Sequence, residues 1–243
     1  MRIAVIADIH SNDIALDAVL EDIKGAGVDR IVHLGDAFNG PINPAAVVQL
    51  LRGCEAIHVR GNGERMVVDA ECSNPSRSAL FARTRLSRED IAFAANWPAV
   101  HAEEGWLACH GSPRSDTEYL LEEVTPAGVS LRRPERISDL LGKDRASLVL
   151  CGHTHIPRVV YLPNSCVIVN PGSVGLPAYA EELPWPHKME TGSPHARYAF
   201  IEQASAGWAV SLRSVAYDWE KAAKIAVQNG FQDWANPLRT GCV

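Results

Sequence analysis

Leu148 to Pro157 reads LVLCGHTHIP. A short apolar run ends at Cys151-Gly152 and then presents His153 and His155. If the segment stays extended, side chains two residues apart share a face, so both imidazoles would enter one space at the end of a buried strand. Neutral imidazole is a common ligand for borderline divalent cations. Read alone, such a pair is more often two polar loop residues. It gains weight from matching residues at other strand exits. Asp8 and His10 follow Ile3 to Ala7, Asp36 follows Arg30 to Leu34, Asn62 follows Ala56 to Val59, and His110 follows Trp106 to Cys109. Each has a bland reading as a turn or a polar strand end, and Asn after Gly is a common turn residue. Together they form a carboxylate, imidazole and amide donor set suited to Mn²⁺, Fe²⁺, Zn²⁺ or Ni²⁺. A carboxylate has two oxygens, so Asp36 can bridge two cations. Two cations about 3.5–4 Å apart can clamp a phosphoryl group and generate hydroxide between them.

The elements that must position these residues follow from hydrophobic patterning. Ile3 to Ala7 is a continuous apolar run of strand length, as expected for a strand covered on both faces. Asn12 is placed to cap a helix carrying Leu16, Val19, Leu20 and Ile23 on one face and ending near Gly25 to Gly27. Asn43-Pro44 opens a second helix, ended by Gly53. Strand, helix, strand in succession argues for βαβ units, and open α/β sheets bind ligands beyond the carboxyl ends of their strands. Residues 65 to about 100 are helical in composition, with Ser87 and Asp90 forming a capping box, and make a cap-like segment. Residues 115 to 145 are charged and predict one or two surface helices, with Ser138 capping the second. Val159 to Leu162, Cys166 to Val169, Tyr198 to Glu202 and Trp208 to Val215 predict antiparallel strands. Residues 177 to 196 hold four prolines and predict a loop. Asp218 caps a last helix, and the residues after Gly230 predict an exposed tail.

Composition sets the outer limits. The chain has 243 residues, is 47% hydrophobic and carries a net charge of -6. It supports one domain over 1–243, with the segments near 65–100 and 177–196 inside it. The acidic balance, without a basic stripe, speaks against nucleic acid. No apolar run is long enough to span a membrane. The opening residues read as a strand and not a leader. The six cysteines show no paired spacing and predict reduced thiols in the cytoplasm.

The blocks ADIHSN, LGDAFNGP, RGNGE, CHGSP and GHTHIP, in that order and at strand ends, resemble the calcineurin-like metallophosphoesterases. The segments LSREDIAFAANWPAV, VNPGSVG and YDWEKAAKIAVQNGF are similar to its small bacterial and archaeal branch. The resemblance implies a four-layer αββα sandwich of two mixed β-sheets flanked by helices. It implies two divalent metal ions, one held by Asp8, His10, Asp36 and His155, the other by Asp36, Asn62, His110 and His153. Asp36, Asn62 and His110 would be catalytic. Hydroxide held by the metals would attack phosphorus in line, on a small phosphorylated substrate: a phosphodiester, a phosphomonoester or a dinucleoside polyphosphate. A homodimer is consistent with that branch. Two other readings stand beside this one, a nuclease-like diesterase and a protein-binding scaffold with a weakened metal site. Many relatives have His where this chain has Gly63, a residue that helps protonate the leaving group.

Asn12, Arg60, Arg114 and Arg158 flank the blocks and are candidates to hold a substrate phosphate. His33 and His58 are expected in the core, and His101, His187 and His195 at the surface. His187 could alternatively reach the site. Tyr179, Trp185 and Lys188 could form a lid or a base-stacking surface, or a dimer contact.

Overall fold

Two five-stranded sheets stand at the centre of the computed structural model, which describes residues 1–142 and 146–243. The chain runs β1 (Arg2–Ile6), α1 (Asp13–Ala26), β2 (Arg30–His33), α2 (Pro44–Arg52), β3 (Ala56–His58), α3 (Asn62–Val68), α4 (Arg77–Arg85) and α5 (Arg88–Ala95). It continues through β4 (Val100–Glu103), β5 (Trp106–Cys109), β6 (Glu122–Thr125), β7 (Gly128–Leu131), α6 (Pro134–Leu141) and β8 (Leu148–Leu150). It closes with β9 (Arg158–Tyr161), β10 (Val167–Asn170), β11 (Ala178–Glu181), β12 (His187–Glu190), β13 (Ala196–Ala204), β14 (Gly207–Val215), α7 (Trp219–Gln228) and α8 (Ala235–Thr240).

The first sheet has the order β14-β13-β1-β2-β3 and the second β4-β5-β8-β10-β9. Both are mixed. β1, β2 and β3 run parallel, as do β5, β8 and β10, with antiparallel strands at the edges. Strand alternation then builds the layers. Ile3, Val5, Val32 and Leu34 point between the sheets to meet Trp106, Ala108, Leu148, Leu150, Val167 and Val169. Ala4 and Ile6 point outward under Leu16, Val19, Val47, Val48 and Leu51 of α1 and α2. On the far side Leu107, Val149 and Ile168 are covered by Ile137 of α6 and by Leu120 and Leu121. This is the αββα sandwich that the sequence implies. The predicted caps hold: Asn12, Asn43, Ser87 and Asp218 each accept a main-chain N–H.

Five expectations need correction. Residues 115–145 contain one helix among the described residues, α6, preceded by the β6–β7 hairpin. Pro126 and Gly128 (φ 115°) turn the chain between the strands. α6 starts on Pro134, so Ser138 lies inside it instead of capping it. Residues 177–196 are not a plain loop: β11 and β12 pair antiparallel, and all four prolines fall outside the paired strands. The predicted Cys166–Val169 strand is antiparallel to β9 but parallel to β8, because it lies between them. The C-terminal residues are not an exposed tail. Leu238 of α8 is fully buried with Ala222, Ala223 and Ala226 of α7.

Among the described residues no helix is long and apolar enough to cross a membrane. Leu150, fully buried between the sheets, tests the packing. Leu150→Ala is expected to lower stability to chemical denaturation by about 2–5 kcal/mol, the range for buried Leu-to-Ala changes. A loss under about 1 kcal/mol would contradict a close-packed interface there.

Candidate metal centre

All seven predicted ligands come together beyond the carboxyl ends of β1, β2, β3, β5 and β8. The backbone that carries them is unusual. Asp8, His10, Ser11, Asp36, His153 and His155 all have φ between 49° and 69°. That left-handed region costs an L-residue about 1–2 kcal/mol, and such strain concentrates at functional sites. It corrects the idea that His153 and His155 share one face of an extended strand. Both residues turn, and their rings separate. His155 stands with Asp8 and His10, while His153 faces His110 with ring centroids 4.9 Å apart.

The ligand atoms form two overlapping groups, Asp8–His10–His155 and Asp8–Asp36–His110. Asp36 reaches both sides: Oδ2 lies 4.0 Å from His10 Nε2 and Oδ1 lies 3.4 Å from His110 Nε2. Asn62, the first residue of α3, sets its Oδ1 3.0 Å from His110 Nε2.

Hydrogen bonding tests whether cations fit. His10 Nδ1 lies 3.3 Å from the Asn39 carbonyl, His155 Nδ1 2.5 Å from the Leu176 carbonyl and His110 Nδ1 2.8 Å from the Leu34 carbonyl. A carbonyl only accepts, so each Nδ1 carries the proton and each Nε2 is left with a lone pair. His10 Nε2 and His155 Nε2 then face each other across 2.9 Å. Asp8 Oδ1, 3.5 Å from His155 Nε2, is fully buried without a hydrogen-bond donor. Lone pairs converge here without a donor to satisfy them, which is the arrangement divalent cations satisfy.

The charges respond to the same geometry. Burial pushes the Asp8 carboxyl up, but His155, His110 and His10 outweigh it and hold the group well below the usual range. Asp36 is also lowered, burial being outweighed by His110 and His10. Burial drives His10 and His153 down to about 4. His110 moves up: burial opposes its charge, but Asp36 and Asp8 favour it more strongly.

Glu64 sits beneath the centre, fully buried. It accepts the backbone N–H groups of Asp36, Ala37, Phe38 and Gly61, and so ties the β2 exit loop to the start of α3. Burial and the Asp36 charge raise it to about 7. A carboxyl raised in the fold contributes stability that is lost as pH rises through that value. Asp36 is held further by the Gly63 N–H at 2.6 Å and by Asn39 Nδ2 at 3.1 Å.

Gly63 is not an open position. A Cβ built there would lie 2.2–2.5 Å from the side-chain atoms of Asn39. The Asn39 amide fills the space in front of Gly63, which is why no larger residue fits at 63 while Asn39 stands. Its Oδ1 is buried without a partner. Nothing in the sequence signals this pairing, because residues 39 and 63 meet only in the fold.

The four predicted phosphate-binding residues do not line the cavity over the centre. Asn12 caps α1 and donates to the Gly175 carbonyl and the Tyr217 hydroxyl. The Arg60 N–H serves the Pro98 carbonyl. Arg114 donates to the Asp139 carbonyl, and Arg158 pairs with Glu122 at 2.8 Å. The cavity, of about 1020 Å³, is instead reached by Tyr119, Arg132, Tyr179 and Trp234. Tyr119 stands 5.0 Å from the His153 ring, Tyr179 4.6 Å from His155 and Trp234 6.0 Å from His10. Trp185 is half exposed, and Lys188 binds the C-terminal Val243 carbonyl. His187 is buried against Tyr119 at 3.1 Å, contrary to the surface position expected for it. His33 is fully buried as expected, while His58 is only partly buried, its ring stacked on Trp97 at 4.6 Å.

Two predictions follow from this geometry. Gly63→Ala is expected to cut metal occupancy, measured by elemental analysis, by about 10–100-fold in affinity, as changes behind metal ligands do. Adding Asn39→Gly should restore part of it, and a strictly additive double variant would contradict the shared space. In metal-free protein, His10 and His153 should remain neutral down to about pH 4. Depressed histidines contribute stability that is present above their unfolded value near 6.5 and lost as pH falls toward 4. Ring resonances titrating near pH 6.5 would refute this.

Comparison with known proteins agrees with the geometry. The calcineurin-like phosphoesterase superfamily domain matches residues 1–184. An uncharacterized protein of Methanocaldococcus jannaschii is 28% identical over an alignment of 257 residues, covering 96% of this chain and 94% of the other. The crystal structure of a metallophosphoesterase from Sphaerobacter thermophilus superposes with a TM-score of 0.75 at 26% identity over 98% of each chain. A hypothetical protein from Pyrococcus horikoshii OT3 shares the fold, with a TM-score of 0.74 at 18% identity over 99% of this chain and 98% of that one. With the family match spanning most of its length, the chain belongs to the calcineurin-like phosphoesterase superfamily, a family of hydrolases.

Proposed function

We propose that this chain hydrolyses a small phosphoester with two divalent cations, one at Asp8, His10, Asp36 and His155, the other at Asp36, Asn62, His110 and His153. The observation that carries this reading is the convergence of His10 Nε2, His155 Nε2 and Asp8 Oδ1 with no donor among them, beside Asp36 and His110. When bound, such cations supply Lewis acidity: they lower the pKa of water and offset the charge of the phosphoryl group.

The chain's own residues do the rest. The carbonyls of Leu34, Asn39 and Leu176 fix the three imidazole tautomers and make each Nε2 a better donor of electrons. Glu64 and the Gly63 N–H keep Asp36 from rotating, so its two oxygens stay aimed at different sides. Asn62, at the start of α3, completes the side nearest His110. Gly63 supplies no side chain to protonate a leaving group. Esters with good leaving groups are therefore the expected substrates. The thiols of Cys54, Cys72, Cys151 and Cys242 form no disulfide among the described residues, which suits a cytoplasmic setting.

The test uses protein stripped with chelator and refilled with Mn²⁺, assayed on p-nitrophenyl phosphodiester and monoester. Turnover is expected only with metal present. Asp36→Asn should lower it by more than about 100-fold, beyond what changes behind the ligands usually cost. Protein that binds no metal and turns over neither ester would favour the scaffold reading instead.

A further inference from the structure

Beside His153 and His155 the cavity wall is built by two tyrosines whose hydroxyls belong to a chain of hydrogen bonds. Tyr119 stands 5.0 Å from the His153 ring and Tyr179 4.6 Å from the His155 ring, and both line the cavity. Their hydroxyl oxygens lie 2.9 Å apart, and the Tyr119 oxygen lies 3.1 Å from His187 Nε2. His187, on β12, is buried and takes no part in the metal centre.

The direction of each proton follows from the partner that can only accept. His187 Nδ1 lies 2.7 Å from the Trp185 carbonyl, so Nδ1 carries the ring proton. In the neutral ring Nε2 then holds a lone pair, and the Tyr119 hydroxyl donates to it. With that proton spent, the contact between the two hydroxyls is a hydrogen bond only if Tyr179 donates. The His153 carbonyl, 3.2 Å from the Tyr179 hydroxyl, is the other acceptor for the same proton. Burial pushes the Tyr119 hydroxyl up to about 12 and raises the Tyr179 hydroxyl as well, so both keep their protons near neutral pH. Both protons are therefore used within the wall, and the tyrosine oxygens have only lone pairs left for a bound molecule. Arg132, the cation among the lining residues, spends Nη2 on the carbonyls of Tyr119 and Glu122 at 3.1 and 2.9 Å. Ionised Glu118, Glu123 and Glu181, elsewhere on the lining, add acceptors only.

Resting on the phosphoesterase reading above, we infer that His187 is a positioning residue that sets the tyrosine pair to accept, and that the substrate arm beside the pair donates: it is a hydroxyl-bearing ester arm that stays on phosphorus while the other ester bond is cleaved. A hydroxyl seated there gives its proton to the Tyr119 or Tyr179 oxygen. An ether oxygen in the same place would meet lone pairs with no donor between them, and an acceptor buried without a donor is costly.

The test compares two p-nitrophenyl phosphodiesters that share a leaving group. Their second arms are isomers of one size, 3-hydroxypropyl, which donates, and 2-methoxyethyl, which only accepts. Assays use Mn²⁺-loaded protein at about pH 8, where ordinary imidazole is neutral. The kcat/KM ratio should favour the hydroxypropyl arm by about 5–10-fold, as expected when a hydrogen bond replaces an unsatisfied acceptor. In Tyr119→Phe the ratio should fall to about 2, one acceptor of the pair being lost. In His187→Leu the Tyr119 proton is freed for the cavity, and the ratio should fall to about 1 or below. His187→Gln, whose Oε1 can still accept from Tyr119, should keep most of the preference. A merely structural role for His187 would slow both diesters alike and leave the ratio unchanged in His187→Leu. That result, or a methoxyethyl arm equal or preferred in the parent protein, would overturn the inference and leave the hydrolase reading standing. If His187→Leu does not fold, Tyr119→Phe decides, and an unchanged ratio there refutes the inference. If metal-loaded protein cleaves neither diester, the hydrolase reading fails, and calorimetry decides the inference. 3-Hydroxypropyl phosphate binding about 5-fold tighter than 2-methoxyethyl phosphate supports it, and equal affinity refutes it.

Discussion

Lone pairs aimed at one another are the constraint on which this structure turns. His10 Nε2 and His155 Nε2 meet at 2.9 Å, and Asp8 Oδ1 lies beside them with no donor. In water these groups would separate and be solvated. Here they are buried, and burial alone would raise the carboxyls and lower the imidazoles. The fold holds them together at a cost in backbone strain, six residues lying in the left-handed region. Cations remove the repulsion, so the polypeptide is shaped for a state that includes them.

The scaffold is suited to holding such strain. The parallel strands β1, β2 and β3 of one sheet and β5 and β8 of the other end at the same rim. Their side chains pack on one face against helices and on the other against the second sheet, which fixes the strands in place. The rim is then tied across by polar groups. Glu64 joins two exit loops through four N–H groups. His110 joins the two sheets through the Leu34 carbonyl. The Ser173 hydroxyl donates to the Asp8 carbonyl, and the His153 N–H to Asp8 Oδ2. Rigid sheets therefore position the reactive atoms, while hairpins and the C-terminal helix shape the space above them.

That division explains what could be read from the sequence. The ligand-bearing residues were legible because each stands where an apolar run stops, and burial of the run forces the next residues to the rim. The two sheets were legible for the same reason. The split between His153 and His155 was not, because it depends on left-handed turns at both residues. The Asn39–Gly63 fit was not, because it is steric complementarity between distant loops. The cavity walls were only partly legible, Tyr179 being a candidate but Tyr119 and Trp234 not, for a different reason. Tyr119, Tyr179 and Trp234 lie in segments read as helix, loop and tail, where weak periodicity gave no direction to a side chain. The arginines beside the motifs end on other groups. Arg114 and Arg158 bind Asp139 and Glu122, and sequence proximity to a ligand says little about where a long side chain ends.

The most direct measurement is a crystal structure of the protein soaked in Mn²⁺, with diffraction collected at a wavelength where manganese scatters anomalously. The account predicts two peaks per chain, about 3.5–4 Å apart as in paired metal sites. One should lie among Asp8, His10, Asp36 and His155, the other among Asp36, Asn62, His110 and His153. A single peak, or peaks at the glutamates of the outer cavity with the histidine cluster empty, would contradict it.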